Sequence, residues 1–247
     1  MVTHGARRLL WLACLALLLV GPGCRYPRDV EGTLDRVRGG VLHVGVTENP
    51  PWVVRGDPPA GVEVDLAREI AAALDARVRW HWGAQSELIA ALEQRQIDLV
   101  IGGLRDNPAL TKQVALTKPY AKLPAGVGFP AGAGKAPPDN LDGQTVHVPR
   151  VNHLADPLHD EGARVVPFDG PPPTGQALGG AHWWLRARGL TVGPWVLRTE
   201  RHVMAVPKGE NAWLALVQRH LNGVDDLPAR LADASRAYPD GQGGESQ

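Results

Sequence analysis

Leu42-His43-Val44-Gly45-Val46-Thr47-Glu48-Asn49-Pro50-Pro51-Trp52 is the stretch on which the fold reading turns. A short apolar strand runs into a proline-fixed turn that presents one large aromatic in a defined direction. Gly61-Val62-Glu63-Val64-Asp65-Leu66-Ala67 then opens a helix in which Leu66, Ile70, Ala73 and Leu74 share one face. Val78, Trp80 and Trp82 alternate with Arg79 and His81 at the period of a strand, and these tryptophans are read as core. Leu88, Ile89 and Leu92 mark a second helix, and Ile97-Asp98-Leu99-Val100-Ile101-Gly102-Gly103-Leu104 a further strand that leads toward Lys118-Pro119-Tyr120. Strands alternating with helices predict parallel pairing in an α/β layer architecture, with ligands beyond the carboxyl ends of the strands. Trp52 and Gly102 to Arg105 stand at such ends.

From Gly126 the composition shifts to glycine and proline, which marks a second domain. Its candidate strands are Thr145 to Val148, Arg164 to Phe168, Pro194 to Arg198 and His202 to Val206. Asn211 to Leu221 reads as a helix. Twenty-six basic and 26 acidic residues cancel to zero formal charge, so no long-range field draws in nucleic acid or an anionic surface. The hydrophobic fraction of 44% suits a globular chain with a real core. Nine histidines are scattered without a metal-binding spacing, and no phosphate loop, nucleophile elbow or dinucleotide fingerprint is present, so neither metal nor cofactor is expected.

Arg7 and Arg8 before the apolar run Leu9 to Val20 read as a cleavable export signal over residues 1–23. Gly21-Pro22-Gly23-Cys24 resembles the lipobox of bacterial lipoproteins, with Gly21 and Pro22 departing from its usual leucine and small residue. Cys14 falls in the leader, which leaves Cys24 as the one mature cysteine and no internal disulfide. Residues 24–38 are polar and read as a tether, and residues 239–247 as a disordered tail.

The ordered series of motifs from Leu42 to Tyr120 resembles the first lobe of the bacterial extracellular solute-binding proteins of family 3. The resemblance implies a two-lobed periplasmic-binding-protein type 2 fold, with residues 39–120 and 205–238 as lobe one and a compressed lobe two over 121–204. The chain would cross between lobes near Lys118 to Pro124 and again near Thr199 to Ala205, and the C-terminal helices would return to lobe one. In such proteins the aromatic after the proline pair, here Trp52, faces the ligand, and the loop after the strand at Ile97 supplies hydrogen bonds.

On that basis the ligand-binding candidates are Glu48, Asn49, Trp52, Gln85, Gly102, Gly103, Leu104, Arg105, Asn152, His153 and His182. The family's carboxylate-gripping arginine falls on Leu110, and Gln176 to Trp184 contains no acid to hold an amine. Both anchors of a zwitterionic amino acid are thus absent from their usual places. Arg105 either captures an anionic group from a shifted position or is a surface arginine paired with Asp106. Trp52 is either a wall for the ligand or a plug between strand and helix, and Gln85 either a hydrogen-bonding group or the lead into its helix. Asn152 and His153 follow the strand ending at Val148 and either replace the family's ligand-cradling turn or form a polar loop.

The function implied is an exported monomer that closes on a small polar solute and presents it to an ABC-transporter permease, tethered to a membrane by a lipid on Cys24. The alternatives are a periplasmic enzyme resembling the cyclohexadienyl dehydratases, for which Glu48 is the one acid at the right edge, and a degenerate ligand-sensing member. On this reading no trailing catalytic, kinase or membrane-spanning domain is expected, so a lytic transglycosylase or receptor kinase that carries this module is not the expected function. Cys24→Ser is expected to move the protein from the membrane fraction to the soluble one. A wild-type protein that is already soluble and begins at another residue would refute the anchor.

Overall fold

The computed structural model describes residues 27–132, 136–150 and 152–238. The leader, Cys24 and the tail from 239 lie outside the described residues. Lobe one is a five-stranded sheet of β1 (Val41–Val46), β2 (Arg77–Trp82), β3 (Leu99–Ile101), β4 (Ala115–Leu116) and β11 (Ala205–Val206). Their order across the sheet is β2-β1-β3-β11-β4. β1 pairs in parallel with β2 and β3, while β11 runs antiparallel to β3 and β4. The parallel part follows from the helices between its strands, α2 (Val62–Ala72) and α3 (Gln85–Glu93). Val44, Val46, Leu99 and Ile101 pack with Leu66 and Ile70 of α2 and with Trp213 and Val217 of α6 (Asn211–Leu221). Leu88 and Leu92 of α3 cover the opposite face.

Lobe two is built on β5 (Ala121–Pro130), β6 (Thr145–Pro149), β7 (Arg164–Phe168), β8 (Leu178–Ala181) and β10 (Arg198–His202). Their order is β10-β5-β8-β6-β7, and β9 (Leu190–Val192) also pairs β5. Two short helices, α4 (Ala155–Asp160) and α5 (His182–Ala187), complete it. The chain passes between the sheets from β4 to β5 and from β10 to β11. These two passages lie side by side, because β5 and β10 are antiparallel with Ala121 opposite His202 and Ala125 opposite Arg198.

Three expectations are corrected or refined. From Asp29 onward the supposed tether is folded: α1 (Thr33–Val37) carries Val37 fully buried into the lobe-one core. Its attachment is mainly polar. Asp29 accepts hydrogen bonds from the backbone amides of Leu34, Ala212 and Trp213, and Glu210 from those of Glu31 and Thr33. A segment held this way carries no apolar stripe to betray it. Trp80 and Trp82 pack against the lobe-one core as read but are only partly buried, since β2 is an edge strand, and the guanidinium groups of Arg68 and Arg55 lie over their rings. The last helix, α7 (Leu227–Ala237), packs chiefly on α5 of lobe two and only secondarily on lobe one.

Leu227 and Leu231 of α7 join Trp183, Trp184 and Leu185 of α5 with Trp52 and Val62 of lobe one in a single apolar cluster. Leu231→Ala should cost about 2–5 kcal/mol, as for other buried leucines, read as a lower urea midpoint. A change below about 0.5 kcal/mol, the level of an ordinary surface substitution, would contradict this packing.

Candidate functional site

The site is assembled around a carboxylate that never reaches it. α2 begins at Gly61, whose φ of 116° and close approach to the Trp52 carbonyl leave no room for a side chain. That start buries Glu63 completely. Its Oε2 accepts hydrogen bonds from the amides of Gly102 at 2.6 Å and Gly103 at 2.7 Å, and its Oε1 from the Tyr120 hydroxyl. One carboxylate thus joins the helix start, the loop after β3 and the entrance to β5. Burial pushes the Glu63 carboxyl above its usual range, against the lowering effect of these hydrogen bonds, and pushes the Tyr120 phenol well up.

The loop so held forms one wall of a cleft of about 590 Å³ between the lobes. Gly103 has φ 70° and lies against Asn49 and Trp52, where a Cβ would meet Asn49 Nδ2 at 2.6 Å. Asn49 Nδ2 donates to the Gly102 carbonyl at 2.9 Å. Trp52 stacks on His202 with ring centroids 4.2 Å apart. His202 Nδ1 lies 3.2 Å from the Gly103 carbonyl, an acceptor only, so this nitrogen carries the proton. Its Nε2 is 3.5 Å from Glu200 Oε2, at the limit of hydrogen-bond reach, and has no closer partner.

Glu200 and His202 are two residues apart on β10 and share the face of the strand that meets the cleft. Burial alone would raise the Glu200 carboxyl. The attraction of His202, Arg105 and His153 outweighs it and holds the group below the ordinary carboxylate range. Glu200 is therefore the electrostatic meeting point of a lobe-one arginine, a lobe-two histidine and its own strand.

Of the sequence candidates, Asn49, Trp52, Gln85, Gly103, Arg105, Asn152 and His153 line the cleft. Four do not. Glu48 is exposed and paired with Arg55 at 2.8 Å. Gly102 is buried behind the loop, and Leu104 belongs to the apolar core beside α3. His182 turns its Nε2 toward the Trp195 carbonyl at 3.3 Å, away from the cleft. Asn152 lines the wall with its amide occupied: Oδ1 accepts from Leu154 and Ala155, and Nδ2 donates to Pro149. Leu110, at the family's clamp position, contributes an apolar surface to the cleft. Sequence reasoning missed Glu200, His202 and Arg198. The alternation Arg198-Thr199-Glu200-Arg201-His202 was the available signal, two acid–base-capable groups on one face of a strand entering a crossing. Among the described residues no three of His, Cys, Asp and Glu gather to hold a metal.

Removing the Glu63 carboxylate should leave two amides and a hydroxyl without acceptors, at about 1–3 kcal/mol each. Glu63→Ala is expected to lower unfolding free energy by about 3 kcal/mol or more, and Glu63→Gln by less, because the amide oxygen can still serve the two glycines. With its folded-state value raised, Glu63 contributes most below the unfolded carboxyl range, and the contribution is lost as pH rises through the folded value. Glu63→Gln should flatten that part of the stability profile. Equal losses in both variants would contradict the assignment.

Comparison with known proteins agrees with this architecture. The model of the bacterial extracellular solute-binding proteins, family 3, matches residues 42–226. The chain is 35% identical over 103 residues to membrane-bound lytic murein transglycosylase F of Vibrio cholerae, covering 40% of this chain and 19% of that protein. The chain thus spans about a fifth of the length of the curated relative it matches. An L-cystine solute receptor of Neisseria gonorrhoeae in its unliganded open conformation superposes with a TM-score of 0.66 at 15% identity, covering 86% of this chain and 99% of that one. An ancestral cationic amino acid solute binding protein superposes with a TM-score of 0.64 at 19% identity, over 81% and 98%. At these identities the likeness is one of fold. With three quarters of its length matched by the family model, the chain belongs to the bacterial extracellular solute-binding proteins, family 3.

Proposed function

We propose that this protein captures a small polar solute between its two lobes and delivers it to an ABC-transporter permease, working outside the cytoplasm and held at a membrane by a lipid on Cys24. The observation that carries the reading is the cleft itself. Its walls come from lobe one at Asn49, Trp52 and Arg105, from lobe two at His153 and Trp183, and from the crossing strand at Glu200 and His202. A ligand that touches both lobes binds the closed arrangement better than the open one, and that difference in affinity is what drives closure.

An acid–base enzyme on this scaffold would need a cleft carboxylate able to trade a proton near neutrality. Glu48 lies outside the cleft, and the attraction of His202, Arg105 and His153 holds Glu200 below the ordinary carboxylate range. These features support a binder over an enzyme.

The test is a metabolite library screened by thermal melting, followed by small-angle scattering on any compound that shifts the transition. A solute at about a hundred times its Kd adds about 2.7 kcal/mol to stability, an easily measured shift. The expected result is a stabilising solute that also lowers the radius of gyration and is recovered unaltered. A compound that is consumed would instead assign an enzyme. A library with no stabilising member would overturn the reading.

A further inference from the structure

Resting on that reading, we infer that the solute is uncharged, with an apolar or ring-shaped body and a carbonyl oxygen that accepts from the indole N–H groups of Trp183 and Trp184. Both side chains line the cleft and each is less than a tenth exposed. Neither Nε1 has a hydrogen-bond partner among the described residues. An indole N–H only donates, and buried without an acceptor it has lost its water with nothing in return. A carbonyl oxygen has two lone pairs and no hydrogen of its own. One such atom serves either indole, or both, without bringing in a donor that would itself need an acceptor.

The charged groups of the cleft point the same way, because they are already engaged or balanced against one another. Asp106 pairs with Arg201 at 3.3 Å, and Arg105 and His153 each have an interaction of their own within the protein. Arg198, Glu200 and His202 alternate along one face of β10, with Glu200 Oε2 3.5 Å from His202 Nε2. An ammonium drawn to Glu200 would come beside the guanidinium of Arg198, and an anion drawn to Arg198 would come beside Glu200. Either would give up its hydration without an unspent group of opposite charge to replace it. An uncharged solute incurs no such loss.

Apolar groups also stand where the anchors of a zwitterion would be. Leu110 takes the clamp position and lines the cleft from lobe one. Trp183 and Trp184 end the acid-free segment that begins at Gln176, and they line the cleft from lobe two. Trp52 adds an aromatic ring on the lobe-one side. The body of the solute thus meets apolar surface from both lobes, in a cleft of about 590 Å³, an ordinary size for a small-molecule site.

Matched compounds test the inference by isothermal titration: benzamide, phenylacetamide and the diketopiperazine of phenylalanine and glycine; benzoate and phenylacetate; benzylamine and phenethylamine; and phenylalanine itself. At least one uncharged carbonyl compound should bind saturably, with the acid, amine or amino acid of the same body roughly tenfold weaker or worse. Its addition to the isotope-labelled wild-type protein should move the assigned indole N–H resonances of Trp183 and Trp184. Trp183→Phe and Trp184→Phe, which keep an aromatic ring and lose the donor, should each weaken it roughly two- to tenfold; the wild-type resonances decide the matter where a variant does not fold. An acid, amine or amino acid that binds better than every uncharged compound would overturn the inference while leaving solute capture intact. So would an uncharged compound that binds and leaves both indole resonances in place. No binding by any of these compounds would also overturn it, and the library screen would then decide solute capture on its own.

Discussion

Everything on the ligand side of lobe one depends on the buried carboxylate of Glu63. Its two oxygens take three donors that no other group serves, from the loop after β3 and from the residue leading into β5. Without it the amides of Gly102 and Gly103 would be buried and unpaired, and the loop would have to relax toward solvent. The loop in turn positions the side chains around it. Asn49 and His202 both bind its carbonyls, and Trp52 is stacked against His202. The chain therefore spends a buried acid on geometry and leaves recognition to other residues.

That division of labour separates the parts of the site that are legible in the sequence from those that are not. The strand, turn and helix that position Trp52 are local, and proline pairs, glycines and apolar spacing announce them within a few residues. Arg105 is legible for the same reason, being a fixed distance past a strand. Glu200 and His202 are not, because their strand is short, polar and meaningful only once β5 is laid beside it. His182 fails in the opposite way: its place in sequence suggests the cleft, but the turn from β8 into α5 directs its ring to Trp195. Asn152 reaches the right wall with its side chain fixed, since three local hydrogen bonds hold it to its own loop.

The fold of lobe two shows the same limit. β6 and β7 are visible as short apolar runs, whereas the long β5 and the short β9 are not, and the run from Pro194 to Arg198 predicts a strand four residues ahead of the observed β10. The glycine-rich β8 is hidden altogether. Gly179 and Gly180 lie where side chains would collide with Val148 and Trp184, so this strand is chosen for close packing and not for β propensity.

The apolar cluster across the lobes bears on how the cleft can open. α7 is bound to α5 through Leu227, Leu231 and the paired tryptophans, whereas its ties to α2 include the solvent-exposed contact of Arg230 with Glu69 at 3.3 Å. Exposed ion pairs of that kind contribute little and re-form easily. α7 is thus packed more closely on lobe two than on lobe one. Rotation about the adjacent crossing strands would break few strong contacts if it ran between α7 and lobe one. Trp52 and Val62, the lobe-one members of the cluster, sit beside the crossings, so the apolar contact they lose on opening is near the pivot, where displacements are smallest. The polar groups of Arg105 and His153 lie on the loops that the rotation would part. A solute that touched both loops would favour whichever arrangement of the lobes lets it reach both.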